Sequence, residues 1–162
     1  NIKSKISNIK LPLKRFEFKG KIEGRTIIDD YAHHPKAIKA TIKLGRLFLN
    51  EHNKYKRLIA IFQPHRFSRV SEFFIEFANE LALADQIIIT SIYGAGEKNI
   101  NNISSSLIST EILKLNKNVK IVKDNNEIRK NFNHLTREND LIINMGAGDC
   151  HNLWHILTSQ KY

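Results

Sequence analysis

Arg57-Leu58-Ile59-Ala60-Ile61-Phe62 runs with no polar break after its first residue, then gives way to Gln63-Pro64-His65-Arg66-Phe67-Ser68-Arg69. Such a run suits a strand covered on both faces, as strands of parallel sheets are. A strand with one wet face would alternate. Working outward, Gln86–Thr90, Val119–Lys123 and Asp140–Met145 read as further strands. Lys14–Lys21 and Arg25–Asp30 read as a hairpin turning at Glu23-Gly24. Pro35 opens a helix carried to about Asn50 by Ile38, Ile42, Leu44, Leu47 and Leu49. Ser68 or Ser71 is placed to cap the next helix, which bears Phe73, Phe74, Phe77 and Leu81 on one stripe. Ser104–Leu115, Asn126–Leu135 and Asp149–Thr158 complete the helices, with Trp154 and Leu157 expected in the core.

Strand–helix alternation predicts an α/β fold of three layers, with a mostly parallel sheet between helices and the hairpin as an antiparallel edge. The 162 residues suit a single domain. At that length roughly 70% of the unfolded chain's surface is buried on folding, so no staple is needed. Cys150 is the sole cysteine, which excludes an internal disulfide and points to a reducing, cytoplasmic compartment. No apolar run approaches the ~18 residues of a membrane span, and nothing resembles a signal peptide. The sequence starts at Asn1 and enters strand-like residues directly, as expected of a segment of a longer polypeptide. The net charge of +10 comes from lysines scattered along the chain, with no dense basic run and no basic–aromatic interleaving that stacks bases. That reads as a solvated surface, and neither a nucleic-acid nor a membrane partner is expected.

Ligands of such sheets sit beyond the carboxyl ends of the strands, so the exits carry the chemistry. They read Asp29-Asp30-Tyr31-Ala32-His33-His34-Pro35, Gln63 to Arg69, Tyr93-Gly94-Ala95-Gly96-Glu97-Lys98 and Gly146-Ala147-Gly148-Asp149. Folding needs turn residues there, and does not need three histidines and two arginines at two exits. Arg66 and Arg69, three apart on an opening helix, would share a face at its positive end and suit a carboxylate or phosphate. One of His33 and His34 is expected to face a site while the other caps or packs. No cysteine or carboxylate completes a metal spacing with them. Two roles stay open for Asp30, a ribose acceptor or a turn residue bonding its own backbone. Gly146-Ala147-Gly148 is half of a dinucleotide fingerprint, with His151 at the third glycine position, and reads better as a tight turn capped by Asp149. Gly94 and Gly96 serve loop geometry, and Glu97 is a candidate contact to a ligand amine. A phosphate loop of the G-x-x-x-x-G-K-[ST] type is absent from the sequence.

Taken in order, these motifs, opened by Lys14-Arg15-Phe16-Glu17, resemble the Mur ligases, ATP-dependent enzymes that assemble the peptidoglycan stem peptide. Lys14 stands where an arginine is usual. The likeness runs over nearly the whole chain, and its histidine motifs resemble those of members that join L-alanine to UDP-N-acetylmuramate. It implies a Rossmann-like third domain that accompanies a UDP-binding domain and a central ATPase domain holding the phosphate loop and Mg²⁺. It further implies that Arg15 approaches the ATP phosphates and Asp30 the ribose, as the catalytic and cofactor-binding pair. Tyr31, His33, His65 and Arg69 would form the L-alanine pocket, Arg69 pairing the carboxylate. The implied reaction activates the muramoyl carboxylate as an acyl phosphate, which the amine of L-alanine attacks. Two alternatives remain: the family's tripeptide-recycling ligase, whose second motif lacks the Phe-Gln-Pro-His-Arg run, and a stand-alone nucleotide-binding module.

Overall fold

The structure, a computed structural model, describes residues 15–115 and 117–159. Strand β1 (Glu17–Ile22) is antiparallel to β2 (Arg25–Asp30) across Glu23-Gly24. Both turn residues have positive φ, 46° and 79°, which gives a two-residue turn the twist of its strands and favours glycine at the second position. The first strand was expected from Lys14, which lies outside the described residues. Next come α1 (Pro35–Glu51), β3 (Arg57–Phe62), α2 (Phe67–Leu81), β4 (Gln86–Ile89), α3 (Ser106–Lys114) and β5 (Asn118–Ile121). The chain continues through α4 (Asn125–Lys130), α5 (Phe132–Leu135), β6 (Asp140–Met145), a 3₁₀ turn (Asp149–Asn152) and α6 (Leu153–Thr158).

The strand order is β1-β2-β6-β3-β4-β5, parallel throughout except for the β1–β2 edge. The expected three-layer architecture is the one observed. Because side chains alternate across a strand, β3 feeds two cores at once. Leu58, Ala60 and Phe62 join Ile38 and Ile42 of α1, Phe77 and Leu81 of α2, and Ile108 and Ile112 of α3. On the opposite face Ile59 and Ile61 meet Ile128 of α4, Phe132 and Leu135 of α5, and Leu153 of α6. β3 is buried from Leu58 to Phe62, as its unbroken apolar run requires, and β6 is buried throughout, Asp140 and Asn144 included.

Three expectations shift in detail. Trp154 and Leu157 are half-buried at the margin of the second core, and Gly20 makes room for the Trp154 ring on β1, where any Cβ would collide with it. The helix expected over Asn126–Leu135 is two short helices, broken at Asn131, whose side chain turns back to the Glu127 carbonyl. The last helix begins as a 3₁₀ turn without a side-chain cap from Asp149. Gln63 takes that place: its Oε1 accepts from the Cys150 N–H at 3.0 Å, and its Nε2 donates to Asp149 Oδ1 at 2.6 Å.

Candidate functional site

Because five strands run parallel, their exits open on one edge of the sheet. The β2 exit passes directly into α1. His34 adopts an extended backbone (φ −126°, ψ 145°) ahead of Pro35, as a residue preceding proline must. That geometry separates the two histidines. His34 packs at a tilt against Phe73 of α2, ring centroids 5.0 Å apart. His33 turns the other way, 5.0 Å from the Tyr31 ring and 5.7 Å from His65 of the β3 exit.

The β3 exit divides its two arginines differently from the sequence expectation. The helix starts at Phe67, and Arg66 precedes it in a left-handed backbone, φ 71°, with its side chain exposed. Arg66 therefore does not share a helical face with Arg69. Arg69, one turn on from His65, sets its Nη1 3.2 Å from His65 Nδ1 and 3.4 Å from the His65 carbonyl. Among the described residues it makes no ion pair with a carboxylate.

Donor chemistry fixes both imidazoles. A guanidinium only donates, so His65 Nδ1 accepts and its proton resides on Nε2. Partial burial, then the Arg69 guanidinium, holds the His65 pKa below the usual histidine value, which keeps the ring neutral. At His33 the order is reversed: Nδ1 lies 2.8 Å from the Tyr31 carbonyl and donates to it, so the acceptor tautomer of this ring presents Nε2. The cluster thus offers a cation, an imidazole donor, an imidazole acceptor and a phenol on two adjoining loops. Such a set matches the carboxylate and amine of a small amino acid.

Tyr93, at the β4 exit, belongs to this cluster although the sequence reading did not single it out. Its ring lies nearly parallel to His65, 5.6 Å away at 17°, and its backbone bridges His65 in parallel fashion. The available signal was adjacency, because consecutive strands such as β3 and β4 usually neighbour one another and so do their exits.

Asp30 is 7% exposed. Its Oδ1 accepts from the Ala32 N–H at 2.7 Å and its Oδ2 from the Phe16 N–H at 2.8 Å. One carboxylate thus ties the segment bearing Arg15, whose side chain is exposed, to the loop bearing Tyr31 and His33. Glu97, a candidate amine contact by sequence, instead turns its carboxylate to Ser68. Beyond β2, Asn144 Nδ2 donates to Asp29 Oδ1 and the Cys150 carbonyl, both at 2.9 Å. Burial pushes the Cys150 thiol up to about 12, which leaves it no nucleophilic role. No three His, Cys, Asp or Glu side chains among the described residues converge as metal ligands. No helix there is long and apolar enough to cross a membrane.

The three-layer sheet is that of a ligase-family α/β domain, and the chain belongs to the family described as Mur ligase, glutamate ligase domain, whose model matches residues 14–148. It is 59% identical over 165 residues to the UDP-N-acetylmuramate–L-alanine ligase of Prochlorococcus marinus subsp. pastoris, covering 99% of this chain and 35% of that protein. A Synechococcus ligase of the same name is 37% identical over 166 residues, with 95% and 34% covered. The chain spans about a third of the length of the curated relatives it matches. Among solved structures, the UDP-N-acetylmuramate–alanine ligase of Thermotoga maritima superposes with a TM-score of 0.69 at 25% identity, covering 89% of this chain and 29% of that one. The murein peptide ligase of Psychrobacter arcticus shares the fold, with a TM-score of 0.73 at 19% identity and coverage of 95% and 31%.

Proposed function

We propose that this chain supplies the amino-acid-binding part of a UDP-N-acetylmuramate–L-alanine ligase acting in the cytoplasm in peptidoglycan assembly. The observation that carries the reading is the meeting of Tyr31, His33, His65 and Arg69 at two neighbouring exits, with Arg69 free of any acidic partner among the described residues. In this reading Arg69 receives the L-alanine carboxylate through its planar fork. His65 donates from Nε2, His33 Nε2 accepts from the amine, and Tyr31 closes the wall beside it.

Arg15 approaches the ATP phosphates, and Asp30 works beside the ribose while anchoring the Arg15 segment through Phe16. With no phosphate loop in the sequence and no metal-ligand cluster among the described residues, ATP and Mg²⁺ are assigned mainly to other parts of the enzyme, as is UDP-N-acetylmuramate. This chain's contribution is orientation and charge, which raise the effective concentration of the amine at its target.

The test is phosphate release when the chain is joined to the remaining two-thirds of the Prochlorococcus relative and given ATP, UDP-N-acetylmuramate and L-alanine. Release that requires L-alanine supports the reading. Release with tripeptide but not with L-alanine would transfer the chain to the recycling activity.

A further inference from the structure

Helix α2 carries Arg69, yet its amino terminus has no cap of its own. The residue at the cap position is Arg66, in a left-handed backbone, and its side chain accepts nothing from the first turn. The orphan N–H groups of a helix start ordinarily find a Ser, Thr, Asp or Asn at that position. Here the oxygens come from twenty-nine residues further along. Glu97 Oε2 accepts from the Ser68 N–H at 3.0 Å, and Oε1 accepts from the Ser68 hydroxyl at 2.6 Å. These bonds, the Ser68 hydroxyl foremost, hold the Glu97 carboxyl below its usual pKa.

The same loop grips the β3 exit at three further points. The Tyr93 N–H donates to the Pro64 carbonyl, the Arg66 N–H donates to the Tyr93 carbonyl, both at 2.8 Å, and the Tyr93 ring lies against His65. Phe67 closes the loop from below, since any Cβ at Gly94 would stand 2.9 Å from its ring. The β4 exit therefore clamps the backbone on either side of His65 and the turn that starts Arg69's helix.

We infer that Glu97 is a positioning residue for the amino-acid site: by capping α2 from the β4-exit loop it sets the register between His65 and Arg69, and with it the placement of the carboxylate-binding guanidinium. Glu97 itself touches no reacting group. The substrate consequence rests on the ligase reading above, whereas the geometric one does not.

Two measurements separate them. On this chain alone, above the ordinary histidine pKa, imidazole-nitrogen NMR reports where the His65 proton resides. The native chain is expected to hold it on Nε2, because Nδ1 accepts from Arg69. Glu97→Ala is expected to relax His65 toward a mixture of tautomers. Glu97→Gln, which keeps an acceptor oxygen for the Ser68 N–H without the charge, is expected to retain the native form. Should Glu97→Ala lose the fold, as judged by its near-ultraviolet circular dichroism, Glu97→Asp supplies the shortened carboxylate and the same tautomer readout. In the joined enzyme, Glu97→Ala is expected to raise the KM for L-alanine about fivefold or more, with the KM for ATP within about twofold. An unchanged His65 tautomer in the alanine and aspartate variants overturns the inference. A relaxed tautomer in a joined enzyme that never consumes L-alanine upholds Glu97's positioning and removes the ligase reading instead.

Discussion

Among the described residues Arg69 has one side-chain hydrogen-bond partner, and it is an imidazole. A guanidinium in that setting keeps its fork available to an outside carboxylate, and charge-assisted hydrogen bonds of this kind contribute about 1.5–3 kcal/mol. Arg69→Ala in the joined enzyme should therefore raise the KM for L-alanine by roughly one to two orders of magnitude, with the KM for ATP nearly unmoved. Initial-rate kinetics decide it, and a selective ATP defect would refute the assignment. His65 sets the acid limit. Its folded-state pKa lies below the ordinary 6.5, so the unfolded chain binds a proton in the interval between the two values and the folded chain does not. The stability His65 contributes is full above about 6.5 and is lost as pH falls through that interval to the folded value. Protonation also places a donor at Nδ1, against the guanidinium. The KM for L-alanine should accordingly climb only as pH falls through the folded-state value, which lies below the ordinary 6.5, and a KM that already climbs at or above 6.5 would contradict the neutral-donor assignment.

Elements were the most legible level of the sequence. β2, β3 and β6 have the bounds expected of them, β3 ending with its unbroken apolar run Leu58–Phe62, and Pro35 opens α1 because its missing N–H costs nothing there. The caps were less legible because they are not local. Ser68 and Ser71 have the right chemistry for capping α2, but the oxygens come from Glu97, and the 3₁₀ turn after β6 draws on Gln63 rather than Asp149. Separations of twenty-nine and eighty-seven residues leave no periodic trace. The candidate site shows the same division. Its residue types stood out at the exits, whereas the parting of His33 from His34, and of Arg66 from Arg69, depends on backbone angles set by Pro35 and by the start of α2. A buried pair at the opposite edge of the sheet ties two elements in the same non-local way. Asp140, 0% exposed, takes Arg57 Nε and Nη2 at 2.9 and 2.7 Å and also caps the Arg137 N–H. Asp140→Ala should lower stability by about 3 kcal/mol in urea titration, the low end for a broken buried pair because Arg57 keeps some contact with water. A loss under about 1 kcal/mol would mean that water replaces the carboxylate freely.

At the scale of the molecule, the described residues bring acceptors, donors and a cation together at the strand exits, and the sequence contains no phosphate loop. This chain on its own should release no phosphate from ATP with UDP-N-acetylmuramate and L-alanine present; turnover by the purified chain would disprove that. The order of strands has a different consequence. β6 is the last strand in sequence, yet it lies between β2 and β3 and pairs with both through its whole length. While the polypeptide is being synthesised, β2 and β3 have no common neighbour until residue 145 has left the ribosome. Until then the edge of β2 away from β1 and the edge of β3 away from β4 wait open. Pairing at such sequence distance is slow and leaves nascent chains prone to aggregation. The birth of this domain is therefore a late, collective event, and chaperone demand should fall on the interval before β6 emerges.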